Sequence, residues 1–436
     1  MAAADFCAID FGTSNSAIAV RVDGAMRLVE LEPGFRTMPT AVFYVADSPV
    51  HEAPRCEFGR AAIAAYVDGI DGRLMRSMKS ILGSTLVEQT TEIGGGRGVR
   101  YLDVVATYLF HLKRCAERAV GGPISRAVIG RPVFFVDDDA ERDARAEAAL
   151  RTAAGRAGFR SVEFHYEPIA AAFDYEQGTT RDENVLVADI GGGTSDFSLV
   201  RVGPKRAGRT DRKADILANH GVHVAGTDFD RRLELATIMP LLGYGAFGPG
   251  EFGRAAGVTQ AREVPSAVYF DLATWHLINT VYNPQRLVEL RSMRTFYADP
   301  AHHRRLMTVV NERLGHELVA RAESAKIEVA GGGRTAIDLG HVEAGLAAEL
   351  GDAEAARALD ADLDRIVAAA RETMAQAGLA ESAVDALYFT GGSTGLALLG
   401  DRLQQAFPDA RVVRGDRFAS VATGLALHAE RRFASA

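Results

Sequence analysis

The sequence predicts an α/β protein built as two related lobes, and two observations carry that expectation. The first is a pair of glycine loops, each introduced by an aspartate at the end of an apolar run. One reads Cys7-Ala8-Ile9-Asp10-Phe11-Gly12-Thr13-Ser14-Asn15-Ser16, the other Val185-Leu186-Val187-Ala188-Asp189-Ile190-Gly191-Gly192-Gly193-Thr194-Ser195-Asp196. The second observation is their placement: they share one design, stand a domain's length apart, and each opens its own half of the chain. Each run of apolar, partly β-branched residues reads as a buried strand, followed by a sharp turn and a second strand.

The chemistry of such a loop follows from its residue types. Glycine lets the backbone turn tightly and come close to a ligand, and the exposed row of N–H groups makes a concave anion site. Thr and Ser add hydroxyl donors. The leading aspartate would repel phosphate, but it can hold the water shell of a magnesium ion that bridges to phosphate. Two such loops together predict a nucleotide clamped between the lobes.

Composition sets the bounds. At 436 residues the chain is expected to form two to four domains or subdomains. Its 47% hydrophobic and 24% charged residues are those of an ordinary globular protein, and a net charge of -8 argues against a general nucleic-acid binder. Cys7, Cys56 and Cys115 lack zinc-site spacing and read as reduced thiols. No apolar run is long enough for a membrane span, and no basic region precedes the first apolar stretch, so a cytoplasmic protein without membrane association is expected. The basic residues are nearly all arginine, and Lys79, Lys113, Lys205, Lys213 and Lys326 are the only lysines.

Along the chain, Phe6–Ile9, Ser16–Val22, Met26–Leu31 and Ala41–Tyr44 read as an antiparallel meander. An insertion is expected from Asp47 to about Arg100, with a helix at Ala61–Tyr66, the basic stretch Arg73–Lys79 and a glycine turn at Gly94–Gly98. Helices are expected at Leu102–Ala119 and Asp139–Ala157, strands at Ala127–Val136 and Val162–Tyr166. Glu167-Pro168 then starts a helix, because proline is tolerated in a first turn, which places Glu167 at a strand-to-helix junction. The second half repeats the opening with strands at Val185–Asp189, Thr194–Val202 and near Asp215–Val224, and Arg201–Arg212 as a polar hairpin tip. Asp228–Leu242 reads as a helix in which Asp228 and Asp230 are an N-cap and a first-turn charge. The stretch 243–340 is expected to be mostly helical, with a glycine-rich loop, a helix ending Glu323-Ser324-Ala325-Lys326-Ile327-Glu328, and a hairpin of Ile327–Ala330 with Ala336–Leu339. A long helix at Ala353–Ala377, a strand at Ala386–Thr390 running into Gly391-Gly392-Ser393-Thr394-Gly395, and a helix at Ala419–Ala429 close the chain. His165, His220 and His223 show no ligand spacing and read as structural, and His302-His303 as solvated.

Several of these blocks, in this order from residue 5 to about 430, resemble the ATPase domain of the heat shock protein 70 chaperone family, within the actin and sugar-kinase fold superfamily. "AIDFGTSNS" is similar to its first phosphate loop, "SMKSILG" to the segment with the catalytic lysine, and "EPIAAAFDY" to the hinge segment. "VADIGGGTSDFSLV" resembles the second phosphate loop, "GTDFDRRL" the start of the second lobe's upper subdomain, "ESAKIEVA" the adenosine-contacting helix, and "VDALYFTGGSTG" the last nucleotide loop. The resemblance implies an actin-like ATPase fold with ribonuclease H-like duplicated lobes. Lobe I would be 1–183, with core 1–40 and 101–183 and an inserted upper subdomain 41–100. Lobe II would be 184–436, with core 184–225 and 341–436 and an inserted upper subdomain 226–340.

It also implies roles. Asp10 and Asp189 would hold hydrated Mg2+, while Gly12, Thr13, Ser14, Asn15 and the amides of Gly191, Gly192, Gly193 and Thr194 cradle the phosphates. Lys79, Glu167, Thr194 and Asp196 would surround the γ-phosphate and the attacking water. Gly226, Thr227, Glu323, Lys326, Gly391, Gly392 and Ser393 would complete the nucleotide contacts. Phosphoryl transfer needs positioning and charge neutralisation, and lysine supplies a compact charge that arginine's broad fork does not mimic. The implied function is slow, Mg-dependent hydrolysis of ATP to ADP that opens and closes the lobes, in a chaperone-like role with an unidentified protein partner or co-chaperone. The alternatives are a nucleotide switch or scaffold with little hydrolysis, a small-molecule kinase, and a polymerising actin relative. Gly395 stands where the family has an arginine that stacks on adenine, which leaves adenine against guanine open, and the segment between Gly226 and Glu323 is longer than usual. The chain stops after Ala419–Ala429, so no peptide-binding domain is expected, as in the short bacterial YegD-like branch.

Overall fold

The computed structural model of the chain describes residues 5–46, 54–94, 96–136, 139–209, 211–252, 259–416 and 419–433. The start of the expected insertion at 47–53, Gly95 of the glycine turn, and 253–258 of the glycine-rich loop lie outside the described residues. Contacts group the chain into two compact units, one of residues 1–223, 369–392 and 406–436, the other of 224–368 and 393–405.

The first unit holds two sheets of the same design. In one, β1 (Phe6–Phe11), β2 (Asn15–Val22) and β3 (Ala25–Leu28) form an antiparallel meander, and β4 (Arg126–Arg131) and β5 (Ser161–Tyr166) extend it in parallel on the far side of β1. In the other, β6 (Glu183–Ile190), β7 (Ser195–Val202) and β8 (Ile216–Val222) form the meander, with β9 (Ala386–Thr390) and β10 (Arg411–Arg414) parallel beyond β6. The leading strand therefore sits mid-sheet in each, buried along both faces, which is why it reads as a continuous apolar run. Asp10 is the penultimate residue of β1 and Asp189 the penultimate residue of β6, so the duplication seen in sequence is a duplication of topology.

Strand alternation distributes the first sheet over two cores. Cys7, Ile9 and Phe11 face one way, against α1 (Tyr101–Val120) and α2 (Ala140–Arg156) through Leu102, Leu109, Leu112, Ala146 and Leu150. Phe6 and Ala8 face the other way and share a core with Val185, Val187 and Val200 of the second sheet, α3 (Glu167–Ala171) and α7 (Ser420–Phe433). Gly424 is what lets α7 approach α3: a Cβ there would stand 2.0 Å from the carbonyl oxygen of Ala170. The Asp139 side chain accepts from the amide of Arg142 and caps α2, and Gly121, in the left-handed region, ends α1.

The second unit contains α4 (Gly226–Thr237), α5 (Gly315–Glu328), the first part of α6 (Asp352–Gln376) and further short helices. Among the described residues no helix is long and apolar enough to cross a membrane.

Four expectations are corrected. Ala41–Val45 does not join the meander. β2 already pairs with β1 on one side and with β3 and Thr37–Pro39 on the other, so Ala41–Val45 instead forms a separate sheet with Cys56–Phe58 and Gly72–Arg76. The hairpin expected at 327–339 is Arg334–Asp338 with Ala347–Gly351, because Ile327 and Glu328 complete α5 and Gly332 and Gly333 turn the chain at positive φ. His303 is buried rather than solvated: it lies on the apolar face of its helix with Leu306 and Val310, and its Nε2 is 2.9 Å from the carbonyl oxygen of Leu290. Arg212 is no solvated hairpin residue either, for Glu176 and Asp215, both buried, draw its guanidinium inside.

Candidate functional site

The turn from β1 to β2 is fixed by its own backbone. A Cβ on Gly12 would stand 2.2 Å from the carbonyl oxygen of Asn15, so only glycine closes this turn. Thr40 holds it from behind: its hydroxyl donates to the carbonyl of Gly12 at 2.8 Å and lies 2.8 Å from the Ser16 hydroxyl, and its amide donates to the carbonyl of Ser14. The Tyr108 hydroxyl on α1 in turn bonds the carbonyl of Pro39 at 3.1 Å. Thr13 and Ser14 are half-buried and Asn15 is exposed.

The matching turn from β6 to β7 is closed by the Gly191 amide donating to the carbonyl of Thr194 at 3.0 Å. The Thr194 hydroxyl donates to Asp196 Oδ2 at 2.8 Å. Gly221 on β8 pairs with Asp196 and makes room for it, since a Cβ there would meet Asp196 Oδ1 at 2.5 Å. Gly391, at φ +87°, passes so close that a Cβ would lie 2.4 Å from the carbonyl oxygen of Ile190 and 2.7 Å from Asp189 Oδ1. Gly391 and Gly392 belong to the first unit; Ser393 opens the segment grouped with the second.

Between these turns the chain gathers its charges. Ser77 adopts a left-handed conformation at φ 52°, from which the 3-10 turn Met78–Ile81 starts, with Met78 fully buried. Lys79 Nζ donates to Glu167 Oε1 at 2.6 Å, the two side chains being only 10% and 13% exposed. Glu167 is the first residue of α3 and lies over Gly130 of β4, where a Cβ would stand 3.0 Å from Glu167 Cγ.

Asp10 and Asp189 keep some solvent contact, yet sit deep enough for lost hydration to dominate their ionisation. That loss, followed by the Glu167 carboxylate, pushes Asp10 up to about 8 against the pull of Lys79. Asp189 is pushed up to about 7 by the same loss, then by Asp196 and Glu167. Burial pulls Lys79 down, but Glu167, Asp10 and Asp189 outweigh it and hold the ammonium above its ordinary value. All four groups thus feel one another.

Asp10, Asp189 and Glu167 are three carboxylates near one lysine, and burial first, then this surplus of negative charge, raises the two aspartates. A divalent cation removes that surplus. Mg2+ keeps most of its water and takes one or two carboxylates together with phosphate oxygens, so the carboxylates of Asp10 and Asp189, beside the two glycine turns, have the donor chemistry for it.

In the second unit Lys326 lies on α5 and Gly226, Thr227 and Asp230 on α4. Glu323 and Lys326 stand one helical turn apart on α5, yet the Lys326 Nζ contacts Asp230 Oδ1 at 2.6 Å and the carbonyl of Gly226 at 3.5 Å. Burial pushes Asp230 up to about 6, although Lys326 draws it down. Asp228 is not the expected N-cap: the helix starts two residues earlier, at Gly226, with Ala225 as its N-cap, and Asp228, its third residue, accepts from the amide of Ala225 at 3.1 Å.

Sequence reasoning missed Thr40, Gly130, Gly221 and Asp230. The glycines stand in ordinary strand positions, and what they make room for comes from elsewhere in the chain. Asp230 reads in sequence as a first-turn charge, and nothing local points to its partner Lys326 on another helix.

A family model described as "Hsp70 protein" matches residues 6–237. The "Chaperone protein dnaK" of Cyanophora paradoxa is 30% identical over 246 residues, 52% of this chain and 36% of that protein. The "Chaperone protein DnaK" of Thermosipho melanesiensis is 32% identical over 228 residues and that of Thermosipho africanus 31% over 230, each match covering 52% of this chain and 34% of the relative. The chain thus spans about a third of the length of these relatives. With two sheets of one topology, an aspartate-led glycine turn in each, and a family match over more than half its length, the chain belongs to the Hsp70 family, whose fold is that of the actin-like ATPases.

Proposed function

We propose that the protein binds Mg-ATP and slowly hydrolyses it, with water as the phosphoryl acceptor. The observation that carries this reading is the buried Lys79–Glu167 pair set among Asp10, Asp189 and the two glycine turns. Family membership supports a nucleotide-binding, chaperone-type role. In this reading the amides of Gly12–Asn15 and Gly191–Thr194 hold phosphate oxygens, and Asp10 and Asp189 hold the water shell of Mg2+. The cation supplies charge neutralisation to the phosphates.

Lys79 places its ammonium against the γ-phosphate, and Glu167 Oε1 fixes the direction of that ammonium. Thr194 and Asp196 orient the attacking water, with Asp196 Oδ2, which accepts from Thr194 Oγ1 in the resting site, taking the water's hydrogen bond. The adenosine contacts of Gly226, Thr227, Glu323, Lys326, Gly391, Gly392 and Ser393 rest on the family resemblance. The lobe division at 183 and 184 is a proposal, supported by its falling at Glu183, the first residue of the second sheet's leading strand. A protein partner responding to ATP against ADP, as a ligand-biased two-state equilibrium, and a reducing cytoplasmic setting consistent with free Cys7, Cys56 and Cys115 complete the reading.

The test is single-turnover hydrolysis of ATP and GTP in parallel, with and without Mg2+. Metal-dependent release of phosphate from ATP is expected. Tight nucleotide binding without phosphate release would replace hydrolysis by a switch function.

A further inference from the structure

Arg131 closes β4 and carries an unusual set of contacts for one side chain. Its Nη2 donates to Asp143 Oδ2 at 2.9 Å and its Nη1 to Glu147 Oε2, both on α2. The Nε reaches the carbonyl of Pro132 at 3.1 Å and Nη2 that of Val133 at 3.2 Å. The guanidinium also lies over two rings, 5.3 Å from the centroid of Phe135 and 5.2 Å from that of Tyr166. The side chain is only 12% exposed. The four hydrogen bonds use the fork of N–H donors, which arginine has and lysine lacks, while the face of the guanidinium meets the rings.

The register explains why this matters. Arg131 pairs with Tyr166 and Gly130 with His165 across β4 and β5. Neighbouring residues of a strand face opposite ways, so Arg131 holds Tyr166 from the α2 side while Glu167, the next residue, lies over Gly130. The same cluster reaches the lysine segment. Asp143, held by Arg131, accepts from the amide of Phe135 at 2.6 Å, and the neighbouring Val136 packs so tightly on Gly83 that a Cβ there would lie 2.2 Å from Val136 Cγ2. Arg142 adds a bond from its Nε to the carbonyl of Gly83 at 3.1 Å. Gly83 follows the turn that carries Lys79.

We infer that Arg131 is a positioning residue for phosphoryl transfer: through Tyr166 on one side and the 132–136 segment on the other, it fixes the contact between Glu167 and Lys79. It touches neither. The inference rests on the proposed ATPase reading, and its test separates the two.

The chain with Arg131→Met, and with the milder Arg131→Lys that keeps the charge but loses the fork, is compared with the unaltered chain, thermal unfolding confirming that each variant is folded. Misplacement of a catalytic pair by about 1 Å costs about a hundredfold in rate, so Arg131→Met should lower the single-turnover rate on that scale while nucleotide affinity stays near the original, with Arg131→Lys between them. In a Glu167→Gln background the Arg131→Met change should add little, because the group it positions is gone. A separate readout needs no activity: amine-reactive labelling of Lys79, mapped by mass spectrometry against Lys205, should rise severalfold in Arg131→Met. If the unaltered chain hydrolyses nothing, the ATPase reading fails, and the labelling still decides whether Arg131 sets the Lys79–Glu167 contact. A folded Arg131→Met with unchanged rate and unchanged Lys79 labelling, or losses that add in the double variant, would overturn the inference.

Discussion

Lys79 and Glu167 are 88 residues apart in sequence and 2.6 Å apart in the fold, one on a 3-10 turn after a left-handed serine, the other at the first residue of a short helix. Each element is held by packing elsewhere, and the pair is what those two pieces of scaffold bring together.

The pair's energetics can be read from Glu167→Gln. The change removes a charge-assisted bond but leaves Asp10 and Asp189 near the ammonium, so the loss should be that of a bond to a charged group, about 1.5–3 kcal/mol. Urea unfolding of the nucleotide-free chain measures it; a gain in stability would mean that the pair is a net burden held for function.

Glycine substitutions separate turn closure from general stability. Gly391→Ala places a Cβ against the Ile190 carbonyl at a positive φ, a strain of about 1–3 kcal/mol, and it should weaken nucleotide binding as it displaces Asp189. Gly193→Ala has open space where its Cβ would lie and should leave stability nearly unchanged. Titration calorimetry and thermal unfolding on both variants check the contrast, and equal effects would contradict it.

The raised aspartates predict how metal binding depends on pH. A carboxylate accepts a cation only after losing its proton, so with Asp10 near 8 and Asp189 near 7 the apparent affinity for Mg2+ should rise as pH goes from about 6 to about 8. For the metal-free fold the sign is opposite. A carboxyl raised in the folded state contributes stability below its unfolded value, and that contribution is lost as pH rises through the folded one. Asp10→Asn should weaken Mg2+ binding and flatten its pH dependence, as measured by calorimetry across that range.

His165 and His428 stack at 4.0 Å in the interior of the first unit. Burial, then the charges of His428 and Arg212, lower His165 to about 3, whereas an unfolded histidine titrates near ~6.5. The lowered value makes the neutral ring part of the fold: its contribution is complete above the unfolded value and is lost as pH falls from there towards about 3. His165→Phe should therefore reduce the fall in urea midpoint between neutral and mildly acidic pH. An unaltered slope would place the acid sensitivity elsewhere.

What was legible in the sequence was what is local. The aspartate-led turns carry their reason within a dozen residues, since Gly12 is required by Asn15 three positions on, and the two leading strands are apolar because they are central. Glu167 was placed by the proline after it. The rest depends on partners far away in the chain. Gly130 and Gly221 are small because Glu167 and Asp196 pass over them, Lys326 finds Asp230 on another helix rather than Glu323 on its own, and Arg212 is buried because Glu176 and Asp215 meet it inside. Ala41–Val45 left the meander because the edge it needed was already paired, which no property of its own residues records.

The central claim is that the Lys79 ammonium acts on the phosphoryl group in the transition state rather than only on the binding of nucleotide. The most direct measurement is single-turnover hydrolysis of Mg-ATP by Lys79→Ala, with nucleotide affinity determined on the same sample. A fall in rate of about a hundredfold or more with affinity changed only a few-fold is the expected result, because an interaction made chiefly in the transition state lowers the chemical step and spares binding. Equal loss of rate and affinity, or a rate that survives the change, would contradict it.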